Sequence, residues 1–392
     1  MIAFLSPVTG RALHTDTPHS LADGLGERWP VVDGIAYLRV GSPGLAARAL
    51  QALDRGDREA ALLTLLAEND RWWDGAPPSP ENLRTLVRQQ HQRTLRQAMD
   101  LLGYGRVGTY FAHRWSDATF IAGLALLDAH WAEPRTAFEL ACGIGHYLRE
   151  LDRLGVRTTG GDIVFSKLWL ARHWVAGPGP DLVCFDADAP WPFDIKTDLA
   201  FCHDAFYFFQ NKTEVAARLR ATAADGLVAL SHVHNRDWPN FSSGAAVSLY
   251  ELQALFPGAV FYDDQVLTLA AASGGIPKVG SEPASGAGFA SGAGLDQAEA
   301  FALALAPALS AHTKEARAAA GPLSRPPIGS RLRRNPLCQN GQPAWPSPRY
   351  GQEYGARATF ACDQSLPGEA LMAPKWAAAA MRRDLLDLPE RW

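Results

Sequence analysis

The stretch Phe138-Glu139-Leu140-Ala141-Cys142-Gly143-Ile144-Gly145-His146 decides the fold. Its opening residues are apolar around one acid and read as a strand, its centre is a glycine-bearing turn, and a helix is expected after it. Glycines there let the backbone approach a ligand closely, and the start of the helix offers free N–H groups. From Thr136 to Ser273 short apolar runs alternate with helical patterns. Strands are expected at 136–141, 156–162, 181–185, 198–202, 226–231, 259–262 and 265–272. Helices fit between most of them, so the expected class is α/β, a doubly wound, Rossmann-like parallel sheet. Only Asp263-Asp264 separates the last two runs, so they are expected to pair as an antiparallel hairpin, giving seven strands with the last antiparallel.

Dinucleotide-binding proteins use a similar glycine turn, but their fingerprint needs a third glycine three residues after the second. That position here is Leu148. Glu139 lies inside the first strand, where the dinucleotide pattern requires no acid. Asp162 ends the second strand, 17 residues beyond Gly145, and Asp186 ends the third. An ionised carboxylate only accepts hydrogen bonds, which suits it to a ribose diol.

Glu139, Ala141, Gly143 and Gly145 resemble the acid-x-Gly-x-Gly-x-Gly motif of class I S-adenosylmethionine-dependent methyltransferases, with Ala141 in place of the first glycine. The resemblance implies S-adenosyl-L-methionine as cofactor, held by the turn 141–145, including Cys142. It implies Asp162 at the ribose, Ile163 packed on the adenine, and Asp186 with Ala187 near the adenine amino group. An α/β sheet ending in an antiparallel hairpin also fits this family. The segment Tyr110-Phe111-Ala112-His113-Arg114-Trp115 resembles one that covers the cofactor in such proteins, with Arg114 pairing to the methionine carboxylate.

Ligands in open α/β sheets bind beyond the carboxyl ends of the strands. The fourth and fifth expected strands lead into Cys202-His203-Asp204 and Ser231-His232-Val233-His234-Asn235. His203 is expected beside the cofactor. His203, Asp204, His232 and His234 are the candidate catalytic residues, with one histidine taking a proton from an acceptor hydroxyl. The same side chains could instead only shape the pocket by hydrogen bonding. No metal is expected, because no third ligand accompanies His232 and His234 at an obvious spacing. Tyr207, in an aromatic run expected to form a helix after the strand, and Asn235 are the candidate substrate contacts.

Residues 1–40 are expected to form a small β module. It resembles the zinc ribbons found on or beside some methyltransferases. Ser6-Pro7-Val8-Thr9-Gly10 stands where those modules have Cys-Pro-x-Cys-Gly, so the shape is expected without the metal. Residues 41–131 are expected to be a helical segment that caps the cofactor. One helix should start at Ser79-Pro80 and close at Gly103, and another should run from about 116 to 131. The core domain is placed at 132–275. A linker and an extension of unassigned fold follow at 276–392, with a mobile stretch over 273–294 and an alanine-rich helix over about 296–312.

A 47% hydrophobic, 20% charged composition excludes a disordered chain. A net charge of −4 gives no general attraction to nucleic acid, and Arg331-Leu332-Arg333-Arg334 reads as solvated surface. No run nears the roughly 18 to 20 apolar residues of a membrane span, and no signal peptide is expected, since residues at the start lack a basic run followed by a continuous apolar stretch. Cys142, Cys184, Cys202, Cys338 and Cys362 form no CxxC pair, which suits a reducing, cytoplasmic setting rather than a disulfide framework. The expectation is methyl transfer to a small-molecule acceptor, at oxygen or nitrogen, in secondary or sugar metabolism. An RNA methyltransferase and a non-catalytic, cofactor-binding scaffold subunit are the alternatives. The residues set no oligomeric state.

Overall fold

The computed structural model describes residues 2–69, 73, 75–223, 225–239, 244–280, 294–306 and 321–392. The chain opens with β1 (His14–Thr17), β2 (Ser20–Ala22), β3 (Arg28–Val32) and β4 (Ile35–Tyr37). Helices α1 (Pro43–Asp54), α2 (Arg58–Leu66), α3 (Pro80–Arg88), α4 (Leu95–Leu101), α5 (Gly105–His113) and α6 (Ala118–Ala129) follow. Strands and helices then alternate: β5 (Thr136–Leu140), α7 (His146–Asp152), β6 (Arg157–Asp162), α8 (Phe165–Leu170) and β7 (Asp181–Cys184). Next come β8 (Leu199–His203), α9 (Lys212–Ala223), β9 (Leu227–His234), α10 (Leu249–Leu255), β10 (Val260–Asp263), α11 (Asp264–Ser273) and β11 (Ala300–Leu305). The C-terminal part holds β12 (Arg331–Arg334), β13 (Cys338–Gln339), β14 (Gln342–Pro343), α12 (Pro348–Tyr354), β15 (Glu369–Leu371), α13 (Ala377–Met381) and β16 (Leu385–Leu386).

Two compact units result. One comprises Met1–Ala112, Thr136–Thr197 and Pro389–Trp392, and the other His113–Arg135 and Asp198–Leu388. In the first, β5, β6, β7 and β4 pair in parallel in that order, and β3, β2 and β1 continue antiparallel. Phe138, Ile144, Leu148, Phe165, Trp169 and Val183 are buried in its core. Each such side chain contributes about 1.5–3 kcal/mol by leaving water.

The turn between β3 and β4 is braced by Asp33, which accepts hydrogen bonds from Arg58, Trp169 and His173 at 2.6–3.0 Å. Burial pushes this carboxyl up, but the bonds from His173, Arg58 and Trp169 outweigh it and hold it at about 2. The chain terminus docks on the same unit. Arg391 donates to the carbonyls of Gln90, Arg93 and His173, and Trp392 Nε1 donates to Ala112 O.

In the second unit β8 and β9 are parallel, and β11 pairs antiparallel with both β9 and β10. Every residue of α6 is buried, so this helix is apolar all round rather than striped. Its Asp128 accepts the N–H groups of Gly321, Leu323 and Ser324 at 2.8–3.0 Å, which ties down the start of the C-terminal part. There β12 pairs with β15 and β16, and β13 pairs with β14. Two small cores fill this part, one around Leu332, Ala380 and Leu385 and one around Leu337, Tyr350 and Phe360.

Several expectations change. Residues 265–272 are not a strand: α11 starts at an Asp263 cap, whose side chain accepts Gln265 N–H, and ends at Gly274 in a left-handed conformation. The hairpin across Asp263-Asp264 therefore does not exist. The antiparallel partner of β10 is β11, inside the region read as an alanine-rich helix. Burial between two strands overrides alanine's helix preference there, and 307–312 lie outside the described residues. Residues 281–293 of the expected linker also lie outside them.

The helix expected from Ser79 to Gly103 is two, because Thr94 and Gln97 form a capping box that starts a new one. Ser79 does cap α3, and Gly103 has φ +72° just beyond α4. Residues 206–208 form a single 3₁₀ turn rather than a helix. Cys338 and Cys362 are joined in a disulfide, against the expectation of none, whereas Cys142, Cys184 and Cys202 are free and buried. The N-terminal strands are not a separate sheet, since β4 adds to β7. At the ribbon-like turn the Ser6 hydroxyl accepts Val8 and Thr9 N–H and bonds to Glu27, while Thr9 donates to Asp23. Among the described residues no helix is long and apolar enough to cross a membrane.

Candidate functional site

In the first unit, the parallel register sets Leu140 beside Gly161 and Asp162 beside Cys184. The turn 141–145, Asp162 and Asp186 therefore leave the same edge of the sheet. Ala141, Gly143 and Gly145 all have left-handed backbones, with φ of +57°, +55° and +81°. Gly143 and Gly145 adopt this freely, whereas Ala141 does so against its Cβ. A side chain at Gly143 would meet the Phe111 ring at 3.4 Å, and one at Gly145 would meet Ala171 and Ala176 at 3.1–3.2 Å. His146 Nε2 bonds to Phe111 O at 3.0 Å, which holds α5 against the start of α7.

Asp162 knits this edge together. Gly143 N–H donates to its Oδ2 at 2.9 Å and Val164 N–H to its Oδ1 at 2.9 Å. Each oxygen keeps a lone pair for a hydroxyl. Lys167 Nζ is 3.8 Å from Oδ1, a neighbour that the sequence reading missed. Asp186 Oδ1 accepts Asp188 N–H at 3.0 Å, and Ala187 O accepts the Trp191 indole N–H. Glu139 and Cys142 are buried beneath the turn, and burial pushes the Cys142 thiol well up. Tyr110, Ala141, Gly143, Ile163 and Asp186 are half-buried, so these expected cofactor contacts keep solvent-facing surface. A turn without a side chain at Gly143, a carboxylate with accepting capacity and a half-exposed Ile163 suit an adenosine-bearing ligand.

The remaining candidates, Arg114, His203, Asp204, Tyr207, His232, His234 and Asn235, belong to the second unit. Asp204 follows β8 and has φ +54°, and His232 in β9 has φ +51°. Opposite β9, Phe301 pairs with Val233 and Leu303 with Leu230, so Ser231 and His232 together oppose Ala302. This bulge re-aims His232. Asp264 receives both the His232 backbone N–H, at 3.1 Å, and the ring Nδ1, at 2.8 Å. His232 Nε2 then points toward Asp204 Oδ1, 4.0 Å away. Burial lowers the basicity of His232, but Asp204 and Asp264 overcome it and raise the net value.

Arg114 is almost fully buried and donates to Asp204 Oδ2 at 3.1 Å and to Thr119 at 2.9 Å. Its guanidinium is therefore engaged with Asp204. The Tyr207 hydroxyl donates to Asp204 Oδ1 at 2.9 Å, and its ring lies 4.4 Å from that of His234. Burial and the Asp204 charge push that phenol well up. His203 Nδ1 bonds to the Ser231 hydroxyl at 2.9 Å. Burial and Arg114 lower His203 to about 3, and burial with His232 lowers His234 to about 3. Asn235 donates to Ala298 O and accepts Asp237 N–H, which orders the loop after β9. Asp264 escaped the sequence reading because it was placed in a turn; an acid just after the Asp263 cap was the available signal.

Residues 138–230 match the family model described as methyltransferase domain. No curated protein matches the chain at a significant level. Among solved structures, it is similar to phosphoethanolamine N-methyltransferase 2 of Haemonchus contortus in complex with S-adenosyl-L-methionine. That similarity has 18% identity and a TM-score of 0.34, over 43% of this chain and 46% of the other. The YcgJ protein of Bacillus subtilis is 19% identical, with a TM-score of 0.30, over 36% of this chain and 69% of that one. A chain of the Haloferax volcanii complex containing the Trm112 methyltransferase activator is 16% identical, with a TM-score of 0.36, over 56% of this chain and all of that one.

Proposed function

We propose that the protein transfers a methyl group from S-adenosyl-L-methionine to a small-molecule acceptor. The observation that carries this reading is Asp162, a nearly buried carboxylate that joins the glycine turn to the end of β6 through Gly143 and Val164 N–H. When bound, the cofactor supplies a methyl group on a sulfonium, which an acceptor displaces in line. Asp162 would accept from the ribose hydroxyls, Ile163 would pack on the adenine, and Asp186 with Ala187 would meet the adenine edge. Phe111 and Tyr110 would cover the turn at Gly143.

In the second unit, Asp264 holds His232 Nδ1 and leaves Nε2 as the ring's accepting atom. His203 is bonded to Ser231, and burial with Arg114 holds its basicity low, which suits a positioning role. The net charge of −4 favours a small acceptor over a nucleic acid.

The test is incubation with S-adenosylmethionine labelled in its methyl group and a panel of hydroxyl and amine metabolites, with transferred label and S-adenosylhomocysteine both measured. Label on an acceptor, lost in Asp162→Ala, is the expected result. Tight cofactor binding with no label on any acceptor would favour a scaffold.

A further inference from the structure

In the second unit, Asp204, His232 and His234 each present one donor atom, and the three atoms lie within 4.8 Å of one another. His234 is only 5% exposed, and among the described residues neither of its ring nitrogens has a hydrogen-bond partner. An imidazole always carries polar capacity at both nitrogens. Leaving one such atom buried and unmatched costs about 1–3 kcal/mol, so a ring with two needs a physical reason.

The surroundings supply one. Two of the three residues hold left-handed backbones, Asp204 at φ +54° and His232 at φ +51°. Non-glycine residues in that region each cost on the order of 1–3 kcal/mol, and such strain gathers at functional sites. Each also has an orienting partner. Asp264 fixes the His232 ring through Nδ1, and the Tyr207 hydroxyl and Arg114 fix the two oxygens of Asp204. A carboxylate behind a ligating imidazole is the usual outer support of a metal ligand. His232 Nε2, the atom left over, faces Asp204 Oδ1.

We propose that Asp204, His232 and His234 bind a divalent transition-metal ion as a two-histidine, one-carboxylate site. Two imidazoles and one oxygen favour zinc, manganese, cobalt or ferrous iron over magnesium or calcium, which take oxygen ligands. Metal–nitrogen bonds of about 2.0–2.1 Å place tetrahedral ligands about 3.3 Å apart. The three donor atoms, within 4.8 Å of one another, must then close by up to about 1.5 Å, within reach of side-chain rotation. Three protein ligands leave coordination positions open for a small molecule. Ion binding does not rest on the methyl-transfer reading.

The test uses the tag-free full chain, stripped with a chelator and titrated with cobalt(II) while its visible spectrum is followed. Zinc is then titrated by calorimetry. One ion per chain is expected, with a cobalt ligand-field band that zinc abolishes. His234→Ala removes a ligand that bonds to nothing else, and should weaken zinc at least about 100-fold. Asp264→Asn, which unsettles the His232 ring and its backbone N–H, should weaken it by about 10- to 100-fold. Circular dichroism in chelator establishes that both variants are folded. No stoichiometric ion on the wild-type chain, or equal binding by His234→Ala, overturns the site. These readouts need no acceptor, so failure to detect methyl transfer leaves them standing.

Discussion

Replacing Asp162 by asparagine perturbs the cofactor edge at a single atom. In the native chain one carboxylate oxygen accepts Gly143 N–H and the other accepts Val164 N–H, both at 2.9 Å. Asparagine keeps one acceptor and turns the other position into an amide donor that faces a backbone donor. One charge-assisted bond, worth about 1.5–3 kcal/mol, is lost, and a buried N–H is left unmatched at about 1–3 kcal/mol. The fold should therefore lose about 2.5–6 kcal/mol, read as a lower urea midpoint at unchanged slope. Ligand affinity should fall separately, since a neutral amide cannot accept from both ribose hydroxyls. Losing about 2–4 kcal/mol there corresponds to a factor of roughly 30 to 1,000 in the dissociation constant for S-adenosylhomocysteine. Calorimetric titration at a temperature where the variant remains folded separates the two effects. An affinity within about threefold of wild type would refute the placement of the ribose on Asp162.

Three further outcomes follow from particular contacts. Asp264→Asn strips His232 of a buried carboxylate that holds both its ring and its backbone N–H, and should cost about 2–4 kcal/mol in urea unfolding. A cost below about 0.5 kcal/mol would mean that the pair is incidental. Burial lowers His130 to about 4, so the unfolded chain binds its proton first as pH falls below about 6.5. Its contribution is full above that pH and is lost as pH falls to 4, amounting to about 3 kcal/mol. Wild type should therefore lose that much more stability than His130→Gln between pH 7 and pH 4, and parallel curves would contradict it. The Cys338–Cys362 disulfide closes a separation of 24 residues, worth about 3 kcal/mol by loop-closure entropy. A reductant, or Cys338→Ser with Cys362→Ser, should lower the thermal midpoint; an unchanged midpoint would show that the two small C-terminal cores suffice.

Much of the geometry of the candidate cofactor edge was legible because its signals are local. A strand, a turn needing left-handed residues and an acid at the end of the next strand all leave marks within a few positions of Gly143 and Asp162. The second unit was harder because its pairings are not local. The alternation of Val266, Thr268 and Leu267, Leu269 resembles a strand, yet the caps at Asp263 and Gly274 make those residues a helix. The alanines of 300–305 suggest a helix, yet β9 and β10 flank them and impose a strand. The candidate metal cluster was hidden for the same reason. His232 and His234 stand two apart, but their third member, Asp204, is brought alongside only because β8 pairs with β9 in the register of His203 with Ser231. Asp264 reaches His232 only once α11 is a helix. The C-terminal part carries few periodic signals, since its strands run to only two to four residues and its cores are small.

The most direct measurement is a side-by-side calorimetric titration of the wild-type chain with S-adenosylhomocysteine and with NAD. Saturable binding of S-adenosylhomocysteine at one site per chain, with no heat from NAD, is the expected result. Saturable binding of NAD with none of S-adenosylhomocysteine would contradict it, and the turn at Gly143 would then have to be read as a dinucleotide site without its third glycine.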